Sequence, residues 1–115
     1  MNAYKVVVRS NSKSFEPATS AALQRIRYRI GKETRKVEHE HGPFALFETE
    51  EQARDFAGTL SHQVSILLCE YEPSVETELW KKLPPVFGRS HLENCPTGTI
   101  LADAVTPLEL IADGI

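Results

Sequence analysis

Apolar and polar side chains alternate with a period of two over much of the chain, which predicts strands with one buried and one wet face. In residues 3–9, Tyr4, Val6 and Val8 are expected inward and Lys5, Val7 and Arg9 outward. Ser10-Asn11-Ser12-Lys13 is turn chemistry, because Asn and Ser side chains bond nearby backbone. A short strand at Ser14–Glu16, ended by Pro17, completes a hairpin. Residues 22–30 alternate most strictly, with Ile26, Tyr28 and Ile30 on the buried face and Arg25, Arg27 and Arg29 on the wet face. Gly31 interrupts as a bulge or turn, where positive φ carries no Cβ strain. Residues 33–37 can continue as a strand after it.

Beyond Gly42-Pro43, Phe44–Phe47 reads as a short buried strand. Thr49-Glu50-Glu51-Gln52 is a capping box, with acids in the first turn where they suit the helix dipole. It predicts a helix over about 50–61, packing a Phe56/Leu60 stripe on the sheet. Val64–Glu72 is the most apolar run, a central strand covered on both faces and stopped by Pro73. Thr77–Leu83 is expected to make one or two helical turns, and the stretch from Pro84 to Gly98 a long loop. Thr99–Val105 is the last expected strand, followed by a short helix or tail from Pro107. These elements predict a single α+β domain, residues 1–115, with a mostly antiparallel sheet and one principal helix packed on it.

Length and charge narrow the partners. The chain has 115 residues, 41% apolar and 25% charged, with a net charge of −3. That composition suits a globular protein. The acidic balance makes nucleic acid and anionic membrane unexpected partners. No apolar run reaches the ~18–20 residues of a membrane helix, and the first nine residues are too short in apolar content for a signal peptide. The expected location is the cytoplasm, or the interior of some host cell. Cys69 and Cys95 are then expected reduced, Cys69 as a small core residue and Cys95 in an exposed segment.

Against this acidic background, six of the thirteen basic residues fall between 25 and 36, offset there only by Glu33. Arg25, Arg27 and Arg29 would stand roughly 6–7 Å apart along one face. Lys32 follows, and Lys5 and Arg9 would join if strands 3–9 and 22–30 were neighbours. Arginine grips phosphates and carboxylates with two parallel hydrogen bonds. Arg9, Arg25, Arg27, Arg29 and Lys32 are therefore candidate ligand-binding residues, for an anionic small molecule such as a nucleotide or for an acidic protein surface. The competing reading pairs these arginines with acids on a neighbouring strand, Glu70 and Glu72 foremost, at roughly 0.2–1 kcal/mol per pair.

Other constellations are weaker. Glu70-x-Glu72 is similar to the Glu-x-Glu pair of mono-ADP-ribosyltransferases, with Arg9 for their early arginine and Thr19-Ser20 for a reduced hydroxyl motif. In those enzymes the pair sits in a turn before a strand, whereas here it closes one, and their fold is usually longer. His39-Glu40-His41 offers zinc-ligand types, with His62, His91 or Cys95 as a third, but no Cys-x-x-Cys or His-Glu-x-x-His accompanies it. An exposed polar loop is the preferred reading, and no metal is expected. Cys95 with His91 could form a thiol nucleophile, but Asn94-Cys95-Pro96 reads better as a turn. Neither common glycine-rich phosphate loop is present, so no cofactor and no catalytic residue are assigned. Trp80, beside Leu79 and Leu83, suits a lid over the core or an oligomer contact.

Taken in order, Tyr4-Lys5-Val6-Val7, Tyr28-Arg29-Ile30-Gly31-Lys32, the run from Gly42 to Ala57, Cys69-Glu70-Tyr71-Glu72 and the run from Gly98 to Val105 resemble a group of short phage and bacterial proteins that carry no assigned activity. The resemblance implies an accessory protein of a virus or mobile element and supplies no catalytic residues. The leading expectation is a non-enzymatic binding module, a homodimer or larger. The alternatives are an ADP-ribosyltransferase-like enzyme using Glu70 and Glu72, and a structural protein with no small ligand.

Overall fold

Strand β1 (Asn2–Arg9) runs through the middle of the sheet with both faces covered. Val6, flanked by partly buried Tyr4 and Val8, packs toward a helix. Ala3 and Val7 turn into a second interior lined by Phe15, Tyr28, Phe44, Leu46, Leu67 and Cys69. The expected outward positions of Lys5 and Val7 are thereby corrected. Val7 is fully buried and Lys5 is only 8% exposed, because a central strand has no wet face. The computed structural model describes residues 1–9, 14–17, 26–36, 43–83 and 86–115, with backbone alone for 79–83 and 86–91.

The strands close on themselves. Antiparallel pairing joins β1 along Asn2–Val7 to β5 (Ser65–Pro73), and β5 in turn to β8 (Thr99–Ala112). Residues 99–102 of β8 pair with β4 (Phe44–Phe47), which returns to β1 through Tyr4 and Phe47. Two short strands extend this ring. β2 (Phe15–Pro17) pairs with the Val7–Arg9 end of β1, and β3 (Thr34–Arg35) with Ala104 and Val105 of β8. The fold is α+β, with a mostly antiparallel sheet and one helix.

Ring closure depends on coiling of β8. Its register against β5 shifts three times, leaving Asp103, Leu108 and Ile111 without opposite residues. Each extra residue bends a strand and increases its twist. Pro107 sits at the middle shift, where a missing N–H is tolerated. The strand therefore runs to Ala112, and the expected helix or tail from Pro107 is corrected.

Helix α1 (Glu50–Ala57) covers one face of the sheet. Its capping box forms as the sequence predicts: the Gln52 backbone N–H donates to Thr49 Oγ1, and the Thr49 N–H to Gln52 Oε1, both at 3.2 Å. Ala53 and Ala57 are buried on the sheet, and Phe56 and Leu60 pack beside them. Regular helix ends at Ala57 rather than near 61, and Thr59 closes a turn by donating backbone and hydroxyl hydrogen bonds to the Phe56 carbonyl.

Three further expectations are corrected. Residues 78–83 form a strand, β6 (Glu78–Leu83), in place of helical turns. The expected loop holds β7 (Val86–His91) and a turn of 3-10 helix at Leu92–Asn94, and β6 and β7 form a separate two-stranded ribbon. Within the expected strand 22–30, residues 22–25 lie outside the described residues. Tyr28 and Arg29 make single bridges, to Phe15 and Lys32, instead of a continuous ladder.

Candidate functional site

Arg29-Ile30-Gly31-Lys32 forms a tight turn, closed by a 3.1 Å hydrogen bond from the Lys32 N–H to the Arg29 carbonyl. Gly31 has φ of 81°, which this type of turn demands of its third residue. Two anchors hold it. Tyr28 and Phe15 exchange backbone hydrogen bonds of 2.8 and 2.7 Å, and the Gly31 N–H donates to the Pro107 carbonyl at 2.7 Å. The turn thus lies against the middle bulge of β8. Ile30, expected in the core, is 48% exposed at the turn's outer corner, because the turn breaks the alternation one residue early. Leu108, squeezed out of register by the same bulge, is 42% exposed.

The candidate binding residues separate. Arg25 lies outside the described residues. Arg27 is ion-paired with Glu16 on β2. Arg9 pairs with Asp113 at 2.9 Å and lies over the Phe15 ring, 4.9 Å from its centroid. β2 stands between β1 and Tyr28, so the two expected basic strands are not neighbours, and Lys5 is interior. Among the described residues, Arg29 and Lys32 have no acidic partner, and both are exposed. Glu72, expected to pair with the arginines of 25–29, instead holds Arg35 at 2.9 Å, with Glu33 at 3.1 Å on the same guanidinium. These acids, the Glu72 hydrogen bond foremost, push the Arg35 pKa up.

Next to the turn lies an acidic cleft of about 270 Å³, lined by Glu33, Glu70, Tyr71, Glu72, Ala104 and Thr106. Glu33 follows Lys32 in the chain and Thr106 precedes Pro107, so cleft and turn share a border. Glu70 is exposed, with no ion-pair partner among the described residues. A second hollow of about 380 Å³ contains the Arg9–Asp113 pair and is neutralised by it. There Ser65 donates a 2.6 Å hydrogen bond to Asp113, and that bond together with Arg9 holds the carboxyl below its usual range. No group of three His, Cys, Asp or Glu among the described residues is placed to hold a metal ion.

Comparison with protein-family models, with curated proteins and with solved structures finds no match for this chain. The site must be read from its own chemistry.

Of the transferase constellation, Arg9 and Glu70 stand far apart. Asn2 lies opposite Glu70, and Arg9 is seven residues further along β1, on the order of 23 Å away. Thr19-Ser20 and His39-Glu40-His41 lie outside the described residues, as does the His91 side chain. Neither Cys69 nor Cys95 is in a disulfide, Cys69 lying in the core and Cys95 half-buried.

One charged group sits inside the ring. Lys5 Nζ donates a 2.6 Å hydrogen bond to the Ala45 carbonyl and lies 5.8 Å from the centroid of the Tyr28 ring. Burial pulls its pKa down to about 8, pushes the Cys69 thiol up to about 12, and raises Tyr28 well above the usual phenol range. Neither hollow is lined by these three groups. Sequence reasoning found Arg29, Lys32 and the Gly31 turn but missed the exposure of Ile30 and Leu108. The glycine after Ile30 and the proline before Leu108 were the available signals, since both residue types mark departures from regular strand.

Proposed function

We propose that this protein is a non-enzymatic interaction module that engages an acidic protein surface through Arg29, Ile30, Lys32 and Leu108. The observation that carries this reading is the turn itself: two cations without acidic partners among the described residues flank an apolar side chain that is 48% exposed. An apolar tip between cations suits a contact that buries it and aligns opposite charges. A small anion would instead favour convergent donors in a concave site. The two hollows described above do not offer one, the first being lined by three carboxylates and the second holding a closed ion pair. An accessory role in a virus or mobile element belongs to the same proposal and rests on motif order alone.

The test is fluorescence anisotropy with a labelled peptide of alternating Glu and Leu, at low and near-physiological salt. The wild type should bind, more tightly at low salt, and Arg29→Ala/Lys32→Ala should bind at least tenfold more weakly. Equal binding by both proteins overturns the reading. So does complete displacement of the peptide by stoichiometric pyrophosphate, which would mark a phosphate site.

A further inference from the structure

We infer that the acidic surface recognised by this turn is the cleft of a second copy of the same chain, in a two-fold symmetric dimer. This rests on the reading of the turn as a contact element and names its partner. The first support is charge. The cleft's three carboxylates, with Arg35 held by two of them, leave two negative charges, and Arg29 and Lys32 supply two positive ones.

The second support is placement. In an isologous pair, patch a of one copy meets patch b of the other while b meets a, so both patches must lie on one face. The Gly31–Pro107 hydrogen bond holds the turn at the cleft's border, with Glu33 and Thr106 belonging to the cleft wall. A two-fold axis through that border carries each turn into the other copy's cleft. Ile30 is then delivered toward half-buried Tyr71, and Leu108, two residues past Thr106, comes close to the axis. Both exposed apolar side chains of this face are thereby covered, and Glu70 gains a cation.

Sedimentation equilibrium from about 1 μM to 1 mM tests the dimer, with circular dichroism confirming that every variant is folded. The wild type should dimerise, with Kd rising at least tenfold between low and near-physiological salt. Arg29→Glu/Lys32→Glu should be monomeric, and so should Glu33→Lys/Glu70→Lys. Mixed one to one, these two variants should form a heterodimer, because the reversed turn then faces the reversed cleft and the native turn faces the native cleft. A wild type that stays monomeric at 1 mM overturns the dimer, as does a mixture of folded variants that fails to associate. If that monomer still binds the Glu/Leu peptide through Arg29 and Lys32, only the self-docking fails, and the interaction-module reading stands with a different partner.

Discussion

Lys5 of β1 donates a hydrogen bond to the carbonyl of Ala45 on the neighbouring strand β4, 40 residues away in sequence. The lysine has exchanged water for one carbonyl and an aromatic face, so its charged form is disfavoured. In the folded protein its pKa is about 8, against 10.5 for an ordinary lysine.

This depression makes stability pH-dependent, with a definite sign. Between the folded and unfolded values the unfolded chain binds more protons, so stability rises as pH increases. Lys5 alone contributes about 1 kcal/mol from pH 8 to 9. Cys69 opposes it: a thiol raised to about 12 loses stability as pH climbs above its ordinary value of 9.0, and buried Tyr28 acts in the same direction higher still. Urea midpoints should therefore rise from pH 7 to near 9 and fall beyond. In Lys5→Met the rise should disappear while the alkaline fall remains.

Tyr28 is buried and its hydroxyl has no hydrogen-bond partner among the described residues. An unmet buried hydroxyl costs about 1–3 kcal/mol of desolvation. Tyr28→Phe keeps the ring and its edge-to-face contact with Phe44, at a centroid distance of 6.0 Å. The expected outcome is an unchanged or higher melting temperature, by up to a few degrees.

Gly98 lies against the capping box of α1. Its φ is 85°, and a Cβ there would run into the Gln52 carboxamide. Gly98→Ala should destabilise by about 2–3 kcal/mol, combining left-handed strain with a disturbed cap. Gln52→Ala removes the obstructing group, so the double variant should lose less than the two single losses summed. Additive denaturation midpoints would rule out this coupling.

Lys36 bridges Glu76 at 2.9 Å and Asp103 at 3.0 Å and is largely covered. Its hydrogen bond to Glu76, opposed by partial burial, holds its pKa above the lysine range. Burial tends to raise Asp103, but Ser74 and Lys36 together hold it below its usual value. Lys36→Met should cost about 2 kcal/mol, less than a fully buried pair because water reaches the acids. Its second signature is pH: the wild-type stability from Asp103 is present above the ordinary carboxylate value and fades on acidification below it. That acid-side loss should shrink in the variant.

Local signals survived into the structure where nothing distant competed. The Thr49–Gln52 box, the glycine turn at 31 and the buried run around Cys69 are set by neighbours in sequence. Lys5 was misread because alternation assumes that a strand has a wet face, and ring closure removes it. Leu79, Trp80 and Leu83 recur at helical spacing but lie in β6, where pairing with β7 overrode the local pattern. Pro107 reads as a breaker in isolation, yet the β8 bulge absorbs it. At the candidate site, the basic residues were legible, but their ion pairs were not. Glu16, Asp113 and Glu72 reach their arginines from separate elements whose pairing only the closed sheet determines.

Because β8 borders both β4 and β5, the hoop has no closing stave until residues 99–112 have been made. A ribosome threading this chain out would expose the apolar flanks of β1 and β5 until β8 emerges. Final closure then demands strand pairings as far apart in sequence as Phe44 and Ala102, which slows folding. Any partner or chaperone acting on the nascent chain would meet an open ribbon rather than the finished surface.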